Sequence, residues 1–291
     1  MPATEMTDLP SAIRAAAAVL SRSGVTSART DAELLAAHVL GVPRTRLALV
    51  AGLSPAQRDR LRELVGRRAA REPVQHLTGR APFRYLDLAV GPGVFVPRPE
   101  TELLVSWGLS AVAGLPAPLV VADLCSGSGA IALSMARECP HATVYAVEHD
   151  PAALMWLRRN ASGTPVSVVE GDATDPSVLS TLDGRVDLVL CNPPYVPATA
   201  EVPAEVRRYD PAVAVFAGPD GLDVIRPLVD RVAALLRPGT GRFGVEHDDS
   251  QASSVPALLA ADGRYGDIDD HLDLGGRPRF ATARRLADCT S

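Results

Sequence analysis

The stretch Asn192-Pro193-Pro194-Tyr195 follows the apolar run 186–191, and the rest of the chain can be understood from this junction. The run is short, rich in Val and Leu, and bounded by Gly184 and the prolines, which is typical of a buried strand in a parallel sheet. Open α/β sheets bind ligands at the carboxyl ends of their strands. The junction therefore predicts a ligand site at residues 192–195.

The two prolines restrict what this junction can bind. Each fixes φ and lacks an amide donor, so the loop backbone offers carbonyl acceptors. The Asn192 side-chain oxygen and the Pro193 carbonyl suit the two hydrogens of a planar NH2 group, and the Tyr195 ring can stack on the flat face of that group. A plain strand-to-loop turn is the alternative, since Asn-Pro and Pro-Pro are common in loops.

Strands and helices alternate from residue 119 onward, which predicts an α/β fold with a parallel sheet. The predicted strands of this part cover residues 119–124, 143–148, 166–171, 186–191 and 241–246. Two further stretches, 267–274 and 278–284, are joined by Gly275-Gly276 and predict a hairpin that closes one edge of the sheet.

A glycine-rich loop follows the first of these strands. The stretch Asp123-Leu124-Cys125-Ser126-Gly127-Ser128-Gly129 leads into a helix predicted over 130–137, and its glycines let a ligand approach the main chain closely. Gly127, Gly129 and Ala132 satisfy a G-x-G-x-x-A spacing, and Glu148 ends the next strand where a ribose-binding acid is expected. This spacing alone is compatible with a nicotinamide dinucleotide.

Two carboxylates favour S-adenosylmethionine instead. Asp123 precedes the glycines, where a pyrophosphate would gain nothing from negative charge. S-adenosylmethionine carries an ammonium and a sulfonium, which a nearby carboxylate attracts. Asp172, after the third strand, is placed to accept from an adenine amino group. The predicted cofactor is therefore S-adenosylmethionine, with S-adenosylhomocysteine as the product.

The composition narrows the class of protein. The chain has 291 residues, 47% of them hydrophobic, which predicts a globular protein of two domains. Its apolar stretches are shorter than the ~20 residues of a membrane span, and the start lacks a secretory signal, so we expect a cytoplasmic protein. The net charge of −5 disfavours a nucleic-acid substrate. Neither a metal site nor a disulfide framework is predicted by the spacing of the cysteines, Cys125, Cys139, Cys191 and Cys289.

The first hundred residues have a different character. Helices are predicted over 11–20, 31–40 and 55–70, the last of them after the Ser54-Pro55 cap. The many Arg residues of the third helix are expected to form a solvated face, and a partner-contact surface of a small helical bundle is the alternative. Residues 86–90 and 94–96 flank Gly91-Pro92-Gly93 and predict a β-hairpin.

Several of these features together resemble a known family. The glycine-rich loop, Glu148 and the motif Asn192-Pro193-Pro194-Tyr195 are similar to class I methyltransferases that act on planar nitrogen. The stretches 72–79, Glu-Pro-Val-Gln-His-Leu-Thr-Gly, and 97–102, Pro-Arg-Pro-Glu-Thr-Glu, resemble the HemK/PrmC family specifically. The resemblance covers nearly the whole chain.

This resemblance implies a fold and an activity. The fold is the class I S-adenosylmethionine-dependent methyltransferase fold, Rossmann-like α/β with a mostly parallel sheet and an antiparallel last strand. The expected domains are a helical bundle for substrate recognition over 1–72, a linker with a β-hairpin over 73–100, and the methyltransferase domain over 101–291. The family methylates the glutamine amide in the Gly-Gly-Gln motif of peptide chain release factors, which modulates translation termination. We therefore expect a monomer that binds release factors, without a nucleic-acid or membrane partner.

The expected site residues form overlapping sets. Catalysis is assigned to Asn192, Pro193 and Tyr195, and substrate contact to the same residues with Pro194 and, through the resemblance, Phe95. Cofactor binding is assigned to Asp123, Cys125, Ser126, Gly127, Ser128, Gly129, Glu148, Asp172, Ala173 and Asn192. No metal is expected.

Two other functions compete with this interpretation. A nucleic-acid amino methyltransferase shares the Asn-Pro-Pro-Tyr motif and acts on a flipped base. It is disfavoured by the acidic charge and by the lack of a separate basic recognition domain. A non-catalytic scaffold is disfavoured because loop, acid and motif are all intact.

Overall fold

A computed structural model of the chain describes residues 7–288, so Cys289 lies outside the described residues. The chain divides into two compact units. The helical unit comprises Met1–Arg80 with Val202–Tyr209, and the sheet unit comprises Ala81–Glu201 with Asp210–Ser291. The predicted domain bounds at residues 72 and 100 stay a prediction. Within residues 7–288, every helix is too short or too polar to cross a membrane.

The elements are numbered here in chain order. The strands are β1 Thr7–Asp8, β2 Gly52–Leu53, β3 Arg80–Phe83, β4 Leu86–Ala89, β5 Leu119–Leu124, β6 Ala142–Glu148, β7 Ser167–Glu170, β8 Leu188–Cys191, β9 Arg242–Glu246, β10 Tyr265–Leu272 and β11 Pro278–Arg285. The helices are α1 Leu9–Arg22, α2 Ala28–Leu40, α3 Pro55–Ala69, α4 Val74–Thr78, α5 Thr101–Val112, α6 Ala130–Glu138, α7 Pro151–Ala161, α8 Ala204–Tyr209, α9 Ile225–Leu235 and α10 Ser254–Asp262.

The helical unit forms around the amphipathic helices α1 to α3, which lie close to their predicted positions. Their apolar sides share one core that includes Leu20, Leu35 and Leu64, each with no exposed surface. The predicted cap begins α3. The Ser54 hydroxyl accepts from the amide of Gln57 at 3.3 Å, and the Gln57 side chain accepts from the amide of Ser54 at 3.0 Å.

One arginine of α3 departs from the expected solvated face. Arg68 is buried, and its guanidinium donates to Asp31 and to Glu205 at 2.7 Å each. Burying a guanidinium is costly unless carboxylates compensate its charge, so these two acids account for its position. Because Glu205 belongs to α8, this network also attaches residues 202–209 to the helical unit.

The sheet unit contains a seven-stranded sheet in the order β10-β11-β9-β8-β5-β6-β7. Strands β9, β8, β5, β6 and β7 are parallel to their neighbours in that run, whereas β11 is antiparallel to β9 and β10. The mostly parallel sheet, its antiparallel last strand and the closing hairpin are thus confirmed. Strand β5 lies between β6 and β8, so the direction of strand addition reverses there. Such a reversal opens a crevice at the carboxyl ends of the strands.

Two apolar cores enclose this sheet. Along β5 and β8, successive side chains alternate between them: Val121 and Leu190 join one core, and Ala122 and Val189 join the other. This alternation explains why the parallel strands are apolar throughout, since both of their faces are covered.

The linker hairpin lies earlier in the chain than predicted. The paired strands are β3 and β4, not residues 86–90 and 94–96. Pro92, Pro97 and Pro99 have no amide to donate, so residues 91–99 cannot sustain a strand ladder. Val94 and Val96 are nevertheless fully buried, because they pack into the interior without pairing.

Candidate active site

A cleft of about 770 Å³ lies in the sheet unit, where loops follow β5, β6 and β8. It brings together eight of the residues expected to form a site: Phe95, Cys125, Ser126, Gly127, Ser128, Glu148, Asn192 and Pro194. It also contains residues that were not predicted for it: Gly93, Pro97, Thr101, Ala130, Ile131, His149, Asp150, Ala153, Pro211, Val213 and Ala214.

The glycine-rich loop forms one wall of this cleft. It turns sharply because Cys125, Gly127 and Gly129 all have left-handed φ values, of 64°, 55° and 89°. At Gly129 two features disfavour a side chain: the left-handed φ, and a Cβ position only 2.8 Å from a methyl carbon of Leu157. The amide of Ser126 donates to the carbonyl of Val147 at 2.9 Å, which ties the loop to β6.

Asp123 lies beneath the loop and is fully buried. Its Oδ2 accepts from the amide of Ala132 at 3.0 Å and so holds the first turn of α6. Its Oδ1 is buried and has no hydrogen-bond partner within residues 7–288. Burial raises the pKa of this carboxyl to about 7, and the charge of Glu148 adds to the shift.

Glu148 ends β6 and faces the cleft. Its Oε2 accepts from the amide of Gly127 at 2.8 Å, and its Oε1 accepts from the amides of His149 and Asp150 at 2.9 Å each. These main-chain donors fix the carboxylate, and the Nδ1 of His149 lies 3.7 Å from its Oε1. An Oε2 with one bond made retains acceptor capacity toward a hydroxyl.

These observations fit the predicted cofactor. The unpaired Oδ1 of Asp123 is an acceptor beneath the loop, and Glu148 presents a second carboxylate from the next strand. The Glu148 carboxylate in the cleft, with the Asp123 carboxyl buried behind the close-approach loop, suits a cationic ligand with a ribose better than a pyrophosphate. Residues of the glycine-rich loop together with Glu148 would hold S-adenosylmethionine.

The Asn192-Pro193-Pro194-Tyr195 motif forms another wall and follows β8. Asn192 is half-buried, and its Nδ2 donates to the Thr101 hydroxyl oxygen at 3.2 Å. This leaves the side-chain Oδ1 as the acceptor end, and it accepts no hydrogen bond from the described residues. The carbonyl of Pro193 likewise accepts none from them. Neither acceptor is engaged by a donor of the described residues, and their role toward a substrate stays a prediction.

The loop beyond this motif is held by a buried glutamine. Gln251 donates from Nε2 to the carbonyls of Tyr195 and Asp220 at 2.9 Å each. Gly221 allows this close approach: its φ is 76°, and a Cβ there would lie 2.0 Å from the Tyr195 carbonyl oxygen. Nothing in the local sequence signals Gln251, because it reaches the motif only through the tertiary fold.

Six of the expected site residues do not line the cleft. Pro193 and Ala173 are buried, and Tyr195 packs partly against the core. Asp172 is exposed, and its Oδ1 accepts from the amide and hydroxyl of Thr174 at 2.8 and 2.7 Å. Asp123 and Gly129 lie behind the loop surface. The binding roles assigned to all these residues stay predictions.

Thr101 is the most informative residue that was not assigned to the site. It lies in the Pro-Arg-Pro-Glu-Thr-Glu stretch, which carries part of the family resemblance, and it is the first residue of α5. Phe95 was assigned from the resemblance alone, and the structure adds a contact: the Arg98 guanidinium carbon lies 4.7 Å from the centre of its ring.

Comparison with known proteins agrees with this architecture. Residues 11–79 match the PrmC N-terminal domain, and residues 101–208 match the methyltransferase small domain. The chain is 51% identical to a release factor glutamine methyltransferase of Mycolicibacterium smegmatis over 97% of this chain and 99% of that protein. It is 52% identical to the Streptomyces coelicolor protein of the same name over 91% and 94%.

A solved structure supports the fold alone. The methyltransferase from Pyrococcus furiosus is 17% identical, covers 70% of this chain and 90% of its own, and superposes with a TM-score of 0.50. Identities near 50% over nearly whole chains are far stronger evidence. The chain belongs to the release factor glutamine methyltransferase family.

Proposed function

We propose that this protein transfers a methyl group from S-adenosylmethionine to the side-chain amide nitrogen of the glutamine in the Gly-Gly-Gln motif of peptide chain release factors. The observation that carries the proposal is the orientation of Asn192, whose Nδ2 donates to Thr101 and whose Oδ1 stays available as an acceptor. The family of the chain supports the same activity. S-adenosylmethionine, when bound, supplies an electrophilic methyl group on a sulfonium.

The reaction asks the protein chiefly to position a weak nucleophile. An amide nitrogen is weak because its lone pair is delocalised into the carbonyl. The Asn192 Oδ1 and the Pro193 carbonyl accept the two amide hydrogens of the glutamine and so fix the nitrogen. Such orientation is worth roughly 7–11 kcal/mol of a reaction barrier.

The same acceptors also favour the transition state. The glutamine nitrogen gains positive character as it is alkylated, so acceptors already aimed at its hydrogens bind the transition state better than the ground state. Tyr195 is assigned to packing against the amide plane. Burial raises the pKa of its phenol, so Tyr195 remains neutral and offers a ring rather than a charge.

We assign substrate recognition to the helical domain over residues 1–72, with residues 73–100 as linker and 101–291 as the catalytic domain. Phe95 is assigned to the substrate side of the cleft that it lines. We also assign a monomeric state. A protein substrate agrees with the net charge of −5, since a nucleic-acid enzyme normally carries a basic face.

The test uses the full chain, labelled S-adenosylmethionine and a purified release factor. We expect one methyl group on the glutamine of Gly-Gly-Gln, located by mass spectrometry of the digested product. A release factor with that glutamine replaced by alanine is the matched control. Labelling of DNA or RNA, with affinity that falls steeply with salt, would instead identify a nucleic-acid methyltransferase.

A further inference from the structure

Asn160 of α7 uses its whole side-chain amide to bind main-chain groups. Its Oδ1 accepts from the amide of Ala89 at 2.8 Å, and its Nδ2 donates to the carbonyls of Ala89 and Ser128 at 2.9 Å each. Both hydrogens of Nδ2 are therefore engaged. A flipped side chain would set its nitrogen against the Ala89 amide and its oxygen against two carbonyls. Only one orientation satisfies all three bonds.

The bond to Ser128 reaches the glycine-rich loop, where Ser128 lines the cleft and Asn160 does not. The peptide that joins Ser128 to Gly129 is bound at both ends. Its carbonyl accepts from Asn160, and its N–H donates to the carbonyl of Ser126 at 2.8 Å. The C=O and N–H of a trans peptide point in opposite directions, so these two bonds stop the peptide plane from rotating. Gly129, with its left-handed φ of 89°, would otherwise allow such a rotation at little cost.

The other two bonds of Asn160 attach the linker. Ala89 ends β4, and Asn160 binds its N–H and its C=O as a residue of a neighbouring antiparallel strand would. Four residues before Asn160, on the same face of α7, Trp156 donates from Nε1 to the carbonyl of Pro92 at 3.2 Å. A Cβ on Gly91 would lie 2.5 Å from a ring carbon of Trp156. Gly91 and Pro92, which resemble a turn in the sequence, thus let the linker lie close against α7.

These contacts connect two sides of the cleft. The linker leads on from Ala89 to Phe95, which lines the cleft and is assigned to its substrate side. Asn160 binds Ala89 and Ser128 at once, so a shift of the glycine-rich loop relative to the start of the linker would break at least one of its bonds. Asn160 therefore links the cofactor side of the site to the substrate side.

We infer that Asn160 is a positioning residue that holds the glycine-rich loop in its cofactor-binding conformation by fastening it to the linker. Asn160 acts through the Ser128 carbonyl and does not itself line the cleft. A loop that is ordered before binding removes the entropic cost of ordering it when the ligand arrives. The inference concerns the binding of S-adenosylmethionine, so it does not depend on which group is methylated.

The experiment compares Asn160→Asp with Trp156→Phe in the full chain. Aspartate keeps the shape of asparagine and an acceptor for the Ala89 amide, but its carboxylate has no hydrogen for the two carbonyls. We expect its Kd for S-adenosylmethionine, measured by calorimetry, to rise about 10-fold because the loop must then be ordered on binding. The added negative charge would by itself attract a cationic cofactor, so a weaker affinity must come from the loop. Phenylalanine removes the bond to Pro92 without touching the loop, so its Kd should change less than about twofold.

A merely structural role for Asn160 would lower the melting temperature of both variants and leave both Kd values near that of the wild type, which overturns the inference. A measurement on the wild type without ligand applies even where Asn160→Asp does not fold. Both side-chain amide hydrogens of Asn160 are bonded, so NMR should show them exchanging slowly with solvent, and rapid exchange of either also overturns the inference. A wild-type protein that binds S-adenosylmethionine but leaves release factors unmethylated would refute the proposed function alone.

Discussion

The two walls of the cleft follow neighbouring strands, but their functional side chains are held by different kinds of hydrogen bond. At the ends of β5 and β6, the carboxyl groups of Asp123 and Glu148 are held by main-chain amides. At the end of β8, the prolines remove such donors, and the Asn192 amide is held by the side chain of Thr101. A main-chain amide donates in the same direction whatever side chain its residue carries. A hydrogen bond to the Thr101 side chain, by contrast, is lost when that residue is replaced. The cofactor wall should therefore tolerate substitutions that the substrate wall does not.

The largest effect is expected from Asn192→Ala. Removing the oriented acceptor should lower kcat roughly 10²- to 10³-fold, as is typical when a preorganised group that stabilises developing charge is lost. Affinity for S-adenosylmethionine should change less than about fivefold. Steady-state kinetics with a release factor and calorimetry with the cofactor measure the two quantities. Near-normal turnover would remove Asn192 from its catalytic role.

Glu148→Ala should act on the opposite wall and on a different quantity. We expect affinity for S-adenosylmethionine to weaken about 10- to 100-fold, because a charged acceptor for the ribose is lost. Glu170→Ala is the matched control: Glu170 is the β7 partner of Glu148, but it is exposed and pairs with Arg158. Calorimetry on both variants makes the comparison. Equal affinities in the two variants would exclude Glu148 from cofactor binding.

Asp123→Asn tests the buried acid of the cofactor wall through stability. Its folded pKa of about 7 lies above its ordinary value of 3.8, so between these values the folded state binds more protons than the unfolded state. Stability therefore falls as pH rises from about 4 to about 7, and levels off above that. Between pH 5 and pH 7, the free energy of unfolding should fall by about 1–2 kcal/mol less in the variant than in the wild type, as measured by urea unfolding. Glu246, whose pKa is also raised to about 7, should account for the remaining slope. An unchanged slope would show that Asp123 does not titrate in this range.

The smallest effect is expected from Asp172→Ala. If Asp172 accepts from the adenine amino group, its loss should weaken cofactor affinity by only about three- to fivefold, since the group is exposed. Thr174→Val is the control, because it removes a hydroxyl that also bonds Asp172 but leaves the carboxylate in place. If both variants bind the cofactor alike, the adenine contact would be excluded.

Much of the sheet could be predicted because its strands carry a strong local signal. Strands such as β8 and β11 lie within two residues of their predicted bounds, since apolar runs between turn residues are short-range patterns. The linker hairpin was misplaced because Gly91-Pro92-Gly93 resembles a turn, whereas pairing there depends on amide donors that the prolines lack. Arg68 was wrongly expected in solvent, because its partners Asp31 and Glu205 are distant in sequence.

Local sequence patterns predicted the order of strands and helices, the loops at the strand ends and the hydrogen-bonding groups that Asn192-Pro193-Pro194-Tyr195 offers. These features follow from hydrophobic periodicity, from turn residues and from the hydrogen-bond donors and acceptors of each residue, all of which are local properties. The direction in which the Asn192 amide faces follows from contacts between distant parts of the chain. The hydrogen bond that defines this orientation is made with Thr101, 91 residues earlier in the chain. Side chains so far apart in sequence meet only after the sheet has formed, so no local pattern could reveal their hydrogen bonds.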